Sequence, residues 1–159
     1  MRKTCDNKYL VVATKAELSL PWAECEKDSR EVIVTGVGGV NVIRALRDLP
    51  RDADILNVGY CGSASFPIGY TVFVRDCRLW HPNVDYDEPV FTLNPRYGNA
   101  LCLTAGDFVL DGTGLPDKSV VDMELAYIAA MGFQRLESIK FVSDNLSLKQ
   151  YNEMTNSHA

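Results

Sequence analysis

The chain has 159 residues, 47% of them hydrophobic and 23% charged, with 21 acidic against 16 basic side chains and a net charge of −5. That length suits one compact domain over residues 1–159, large enough to bury a core without cross-links. The acidic balance argues against a non-specific grip on nucleic acid or anionic membrane, and leaves open a small anionic ligand held by a local site.

Five cysteines, Cys5, Cys25, Cys61, Cys77 and Cys102, are scattered without a C-x-x-C pair, and His81 and His158 are the two histidines. A structural zinc site needs about four clustered soft ligands, so no metal is expected and the thiols read as small buried hydrophobes. Met1-Arg2-Lys3-Thr4 starts the chain without an apolar secretory core, and no apolar run nears the ~20 residues that span a bilayer. A reduced, cytoplasmic protein is the expectation.

Tyr9-Leu10-Val11-Val12-Ala13 reads as a buried strand, followed by a short helix or turn from Ala16 to Trp22. Glu31 to Thr35 is a second strand, ending at Gly36. From Gly38, Val40, Ile43, Ala45, Leu46 and Leu49 repeat at helical spacing until Pro50 stops the helix. Asp54 to Val58 is a third strand, followed by a loop from Gly59 to Pro67. Tyr70 to Leu79 reads as a strand, Trp80 to Tyr97 as proline-rich loop with one short strand, and Leu101 to Thr104 as a strand again. Val120-Val121 leads into a helix from Glu124 to Met131, ended by Gly132; Ser138 to Ser143 is the last buried strand, before a polar helix and tail. Short apolar runs alternating with helical patterns predict an α/β fold with a mixed, largely parallel sheet between helical layers.

Ligands in such folds collect at the carboxyl ends of the strands. Glu17, Gly36 to Gly39, Gly59 to Ser63 and Asp144 all fall there. Gly36-Val-Gly-Gly-Val-Asn41 is a poor dinucleotide motif: Asn41 replaces the third glycine, and the next strand begins rather than ends with its acid, Asp54. Its glycines serve either a tight turn or a backbone lining for a ligand. Cys61 lies in a small-residue loop without a matching histidine motif, so packing suits it better than nucleophilic catalysis. Asp122, Glu124 and Asp144 fit ordinary helix capping as well as chemistry.

In their order along residues 9–145 these pieces resemble the purine nucleoside phosphorylase and methylthioadenosine/S-adenosylhomocysteine nucleosidase superfamily, as a short member. Val11-Val-Ala-Thr-Lys-Ala-Glu17 resembles the family's first strand and catalytic glutamate loop, Thr35 to Asn41 its glycine turn, and Asn57-Val-Gly-Tyr-Cys-Gly62 its N-x-G-x-x-G loop with Ile68-Gly69 beyond it. Ala105-Gly-Asp-Phe-Val109 resembles the base-stacking segment, Val121-Asp-Met-Glu124 the ribose motif, and Val142-Ser-Asp144 the S-D motif. The chain is shorter than is usual in the family, mainly between Val90 and Leu103, and Tyr60-Cys61 stands where a smaller Ser-Ala pair is common.

The resemblance implies a three-layer αβα fold, shortened, and a nucleosidase without cofactor that acts on a small purine nucleoside and forms a homo-oligomer, a dimer being favoured. It implies that Asp144 donates a proton to the purine, that Glu17 activates water, and that Glu124 binds the ribose hydroxyls with Met123 packed on the sugar. Phe108 would stack on the base beside Val109, Ser143 would fix Asp144, and Tyr60, Cys61 and Gly62 would line the site. Asn57 stands where phosphorylases of this type carry arginine, which favours water over phosphate as nucleophile. A phosphorylase and a non-catalytic nucleoside-binding relative remain the alternatives.

Overall fold

In the computed structural model, residues 6–81, 89–93 and 98–158 are described. Much of the stretch from Trp80 to Tyr97 read as loop lies outside them.

The chain runs β1 (Lys8–Val12), a 3-10 helix (Lys15–Ser19), α1 (Pro21–Glu26), β2 (Glu31–Val34), α2 (Gly39–Leu46) and β3 (Asp54–Gly62). It continues through β4 (Thr71–Leu79), β5 (Phe91–Thr92), β6 (Ala100–Thr104), β7 (Ser119–Asp122), α3 (Leu125–Ala130), β8 (Arg135–Asp144) and α4 (Leu148–His158). Each expected strand and helix among the described residues has a counterpart. The loop expected from Gly59 starts later, because β3 continues to Gly62 with β8 paired along its whole length.

The sheet is mixed. β2, β1, β3 and β8 lie parallel, β4 pairs in parallel with β6 and β6 with β7, while β3–β7, β4–β5 and β4–β8 are antiparallel. The expectation of an open sheet between two helical layers needs correction. β3, β7, β6, β4 and β8 close into a five-stranded barrel; β1 and β2 extend from β3 as an open wing, and the two-residue β5 is added to β4. Closure follows from the length of β3: its first half pairs with β1, its last residue with Val121 of β7, and its opposite edge with β8. Single-sequence patterns report which residues are buried, not which strand edges meet.

Alternation along β1 and β3 sorts side chains onto two faces. Leu10, Val12, Leu56, Val58 and Tyr60 pack with Leu20, Ala23 and Ile139 beneath Tyr151 and Met154 of α4. Val11 and Ile55 pack with Val42 and Leu46 of α2 and Ile128 of α3. The barrel holds Val72, Val74, Cys77, Cys102, Val120 and Val142. The strand ends that carry the motifs therefore converge where wing and barrel meet.

Candidate active site

One cavity of about 250 Å³ opens at that junction. It is lined by Ala13, Thr14, Glu17, Val37, Tyr60, Cys61, Gly62, Asp107, Phe108, Val109, Val121, Asp122, Met123, Glu124, Ser143, Asp144 and Tyr151. All ten residues singled out from the sequence are among them: Glu17, Tyr60, Cys61, Gly62, Phe108, Val109, Met123, Glu124, Ser143 and Asp144.

Glu17 sits on the 3-10 helix just beyond β1, and its carboxylate turns back to the strand end. Oε1 accepts the Ala13 and Thr14 N–H groups at 2.7 and 3.0 Å, and Oε2 accepts the Tyr60 N–H at 2.7 Å. Burial pushes its carboxyl above the ordinary carboxylate range, against the pull of Lys140 and these three amides.

Glu124 stands just before α3, where the sequence suggests a cap, yet it makes no side-chain bond to its own helix. Its Oε2 accepts the Gly38 N–H at 2.8 Å, while Asp122 Oδ2 takes the helical Leu125 N–H at 2.8 Å. The glycine turn thus delivers a backbone donor, and Gly38 does so at a φ of 90° that disfavours any other residue. Burial, reinforced by the charge of Asp122, raises the Glu124 carboxyl to about 7.

Asp144 ends β8. Its Oδ2 accepts N–H groups from Leu146 and Ser147 at 3.0 and 3.3 Å, and Oδ1 lies 2.7 Å from Ser143 Oγ. Ser143 Oγ also lies 3.2 Å from the Cys61 carbonyl. A hydroxyl has one proton, and a carbonyl only accepts. Ser143 donates it to Asp144, the nearer of the two acceptors. Burial raises the Asp144 carboxyl, against those three hydrogen bonds.

The aromatic wall comes from three segments. Phe108 meets Tyr151 of α4 edge to face with ring centroids 5.3 Å apart, and Tyr151 meets Tyr60 at 6.2 Å. Cys61 contributes surface rather than nucleophile: its thiol is buried and burial pushes it far up, so the thiolate that chemistry needs is suppressed.

Two sequence readings change. Asn57 does not line the cavity; its amide spans β1 and β8, donating to the Val11 carbonyl at 3.1 Å and accepting from Ser138 at 2.9 Å. It braces strands, so its identity says nothing direct about a phosphate. Arg44 of α2 and Arg75 of β4 are exposed. The stretch expected to be shortened, Val90 to Leu103, contributes no described residue to the cavity, so its walls come from elsewhere.

Sequence reasoning missed Lys140, Tyr151 and Val37. Lys140, in the middle of a strand, is 1% exposed and lies 3.0 Å from Asp122. A charged residue inside an otherwise apolar strand run was the available signal.

No protein-family model and no curated protein matches the chain. Solved structures do match. A point variant of an MTAN from Chlamydia trachomatis is 24% identical, with TM-score 0.72, over 96% of this chain and 89% of that chain. An MTA-bound structure of the same protein is also 24% identical, with TM-score 0.71, over 95% of this chain and 88% of that chain. The 5′-methylthioadenosine/S-adenosylhomocysteine nucleosidase from Helicobacter pylori, bound to butyl-thio-DADMe-Immucillin-A, is 13% identical, with TM-score 0.70, over 95% and 91% of the two chains. The chain has the MTAN fold. Within that fold, the wing supplies Glu17 and the glycine turn, the barrel supplies Glu124 and Asp144, and β3 belongs to both.

Proposed function

We propose that this chain is a single-domain N-ribosyl hydrolase, cleaving the glycosidic bond of a purine nucleoside such as methylthioadenosine or S-adenosylhomocysteine. One observation carries the reading: Glu17, Glu124 and Asp144, far apart in sequence, face one cavity in the fold of nucleosidases solved with MTA and with adenine.

Cleavage develops an oxocarbenium-like sugar and a purine anion that must gain a proton. Asp144, whose carboxyl burial raises, donates that proton to the base, and Ser143 donates to the carboxylate left behind. Glu17 orients the attacking water and takes its proton; its two oxygens are aimed by three backbone amides. Glu124 accepts from the ribose hydroxyls, with Met123 packed on the sugar. Phe108 stacks on the base beside Val109, and Tyr60, Cys61 and Gly62 form the β3 wall.

Water is the nucleophile because the lining carries five acidic side chains, Glu17, Asp107, Asp122, Glu124 and Asp144, and no arginine, lysine or histidine among the described residues. Such a surface repels the phosphate that phosphorolysis requires. Buried free thiols at Cys61, Cys77 and Cys102 suit a reducing cytoplasm, and no helix among the described residues is long and apolar enough to cross a membrane. A dimer is favoured by exposed apolar side chains on the wing, Val40 and Ile43 of α2 and Val32 and Val34 of β2, together with Val37, which lines the cavity.

The test is incubation with methylthioadenosine, S-adenosylhomocysteine or inosine, with and without phosphate. Free base without phosphate is the expected result. Base released only with phosphate makes the chain a phosphorylase, and binding without turnover makes it a non-catalytic relative.

A further inference from the structure

Among the described residues the largest fully buried side chain is a lysine that does not line the cavity. Lys140 lies on the same face of β8 as Ser138 and Val142, with Ile139 and Phe141 on the other. Its Nζ lies 3.0 Å from Asp122 Oδ2. It also borders Glu17: a Cβ built on Gly59 would stand 2.6 Å from Glu17 Oε2 and 3.3 Å from Lys140 Nζ. The missing side chain at Gly59 is what lets a carboxylate from the wing and an ammonium from the barrel share one space.

We propose that Lys140 is a positioning residue, an ammonium set behind the cavity wall and anchored by Asp122, whose charge decides how Glu17 and Glu124 ionise. Its use in catalysis rests on the hydrolase reading; its effect on the two carboxyls does not. A buried carboxylate without a compensating charge takes up a proton. Three buried carboxylates, Glu17, Asp122 and Glu124, face this one ammonium. Asp122 lies closest and is held ionised: burial pushes it up, but Lys140 and the Thr104 hydroxyl more than offset that. Lys140 pulls Glu17 and Glu124 downward as well, while Asp122 pushes Glu124 up. The other titratable groups facing the cluster are the thiols of Cys61, Cys77 and Cys102 and the phenols of Tyr60 and Tyr151, all raised by burial and so neutral. Asp144 stands apart from this cluster, accepting hydrogen bonds from Ser143, Leu146 and Ser147.

The experiment is a carbon-detected NMR titration of the glutamate carboxyls in the unloaded protein, with Glu17 and Glu124 assigned from their glutamine variants. In Lys140→Met both midpoints should rise by about one pH unit or more, whereas Lys140→Arg, which keeps the charge, should leave them at the wild-type position. Unmoved midpoints in a folded Lys140→Met protein overturn the proposal. If that variant does not fold, Asp122→Asn decides with the opposite sign: the Glu124 midpoint should fall, and a static or rising midpoint overturns the proposal. Adenine release from methylthioadenosine by the wild type is measured separately. Its absence sinks the hydrolase reading and leaves the titration result standing.

Discussion

β7 and β8 both border Gly62 of β3, which pairs with Val121 of one and Asp144 of the other, and each strand ends in a buried aspartate on the same cavity. The two aspartates nevertheless behave oppositely. Asp122 has an ammonium, a hydroxyl and an amide as partners, and stays ionised despite burial. Asp144 has a hydroxyl and two amides, and burial wins, lifting its carboxyl. Identical side chains at equivalent strand ends are thus divided by one cation into a carboxylate held ionised and a carboxyl shifted toward its protonated form. Burial alone predicts neither role.

The comparison breaks most sharply at Asp144. Asp144→Asn should lower the rate of adenine release by about 10²–10⁴-fold, the usual worth of a general acid, with little change in unfolding midpoint; retained activity in an initial-rate assay would remove Asp144 as the acid. At the other strand end the expected loss is stability. Lys140→Met strands Asp122 as an unpaired buried charge and should cost about 3–5 kcal/mol in urea unfolding, most of it recovered when Asp122→Leu is added. A double variant as unstable as the single one would show that the pair does more than neutralise itself.

Between these extremes lies Glu124, raised to about 7 from an ordinary 4.5. A carboxyl raised on folding binds its proton more tightly in the folded state. Its stabilising contribution is therefore full below 4.5 and lost as pH rises through about 7. Melting temperatures of the wild type should fall across that window relative to Glu124→Gln, and parallel profiles for the two proteins would contradict the assignment. The smallest effect is expected at Ser143. Ser143→Ala removes one hydroxyl from between Cys61 and Asp144 and should cost about 1 kcal/mol; because the Ser143 bond pulls the Asp144 carboxyl down, its loss should move the alkaline limb of the pH–rate profile upward. An unchanged limb would reduce Ser143 to packing.

Much of the site was legible because its residues occupy strand ends, and strand ends can be read from where apolar runs stop. Glu17 follows Tyr9 to Ala13, Asp144 follows Ser138 to Ser143, and Glu124 precedes the periodic Leu125 to Ala130. Lys140 escaped for the converse reason. It lies inside an apolar run, where period-2 alternation shows which face it shares but not that Asp122, 18 positions earlier, completes it. Asn57 misled because a motif position says what a residue type suits, while its hydrogen bonds to Val11 and Ser138 are tertiary.

By itself the sequence determined the elements, the two-faced burial of β1 and β3, and which acids stand at strand ends, because these depend on local propensity and on spacing along the chain. Closure of the barrel, the reach of Glu124 to Gly38 86 residues away, and the placement of Lys140 between two acids were decided only by the tertiary structure. Strand-edge pairing and electrostatics act through space, and distance along the chain does not encode them.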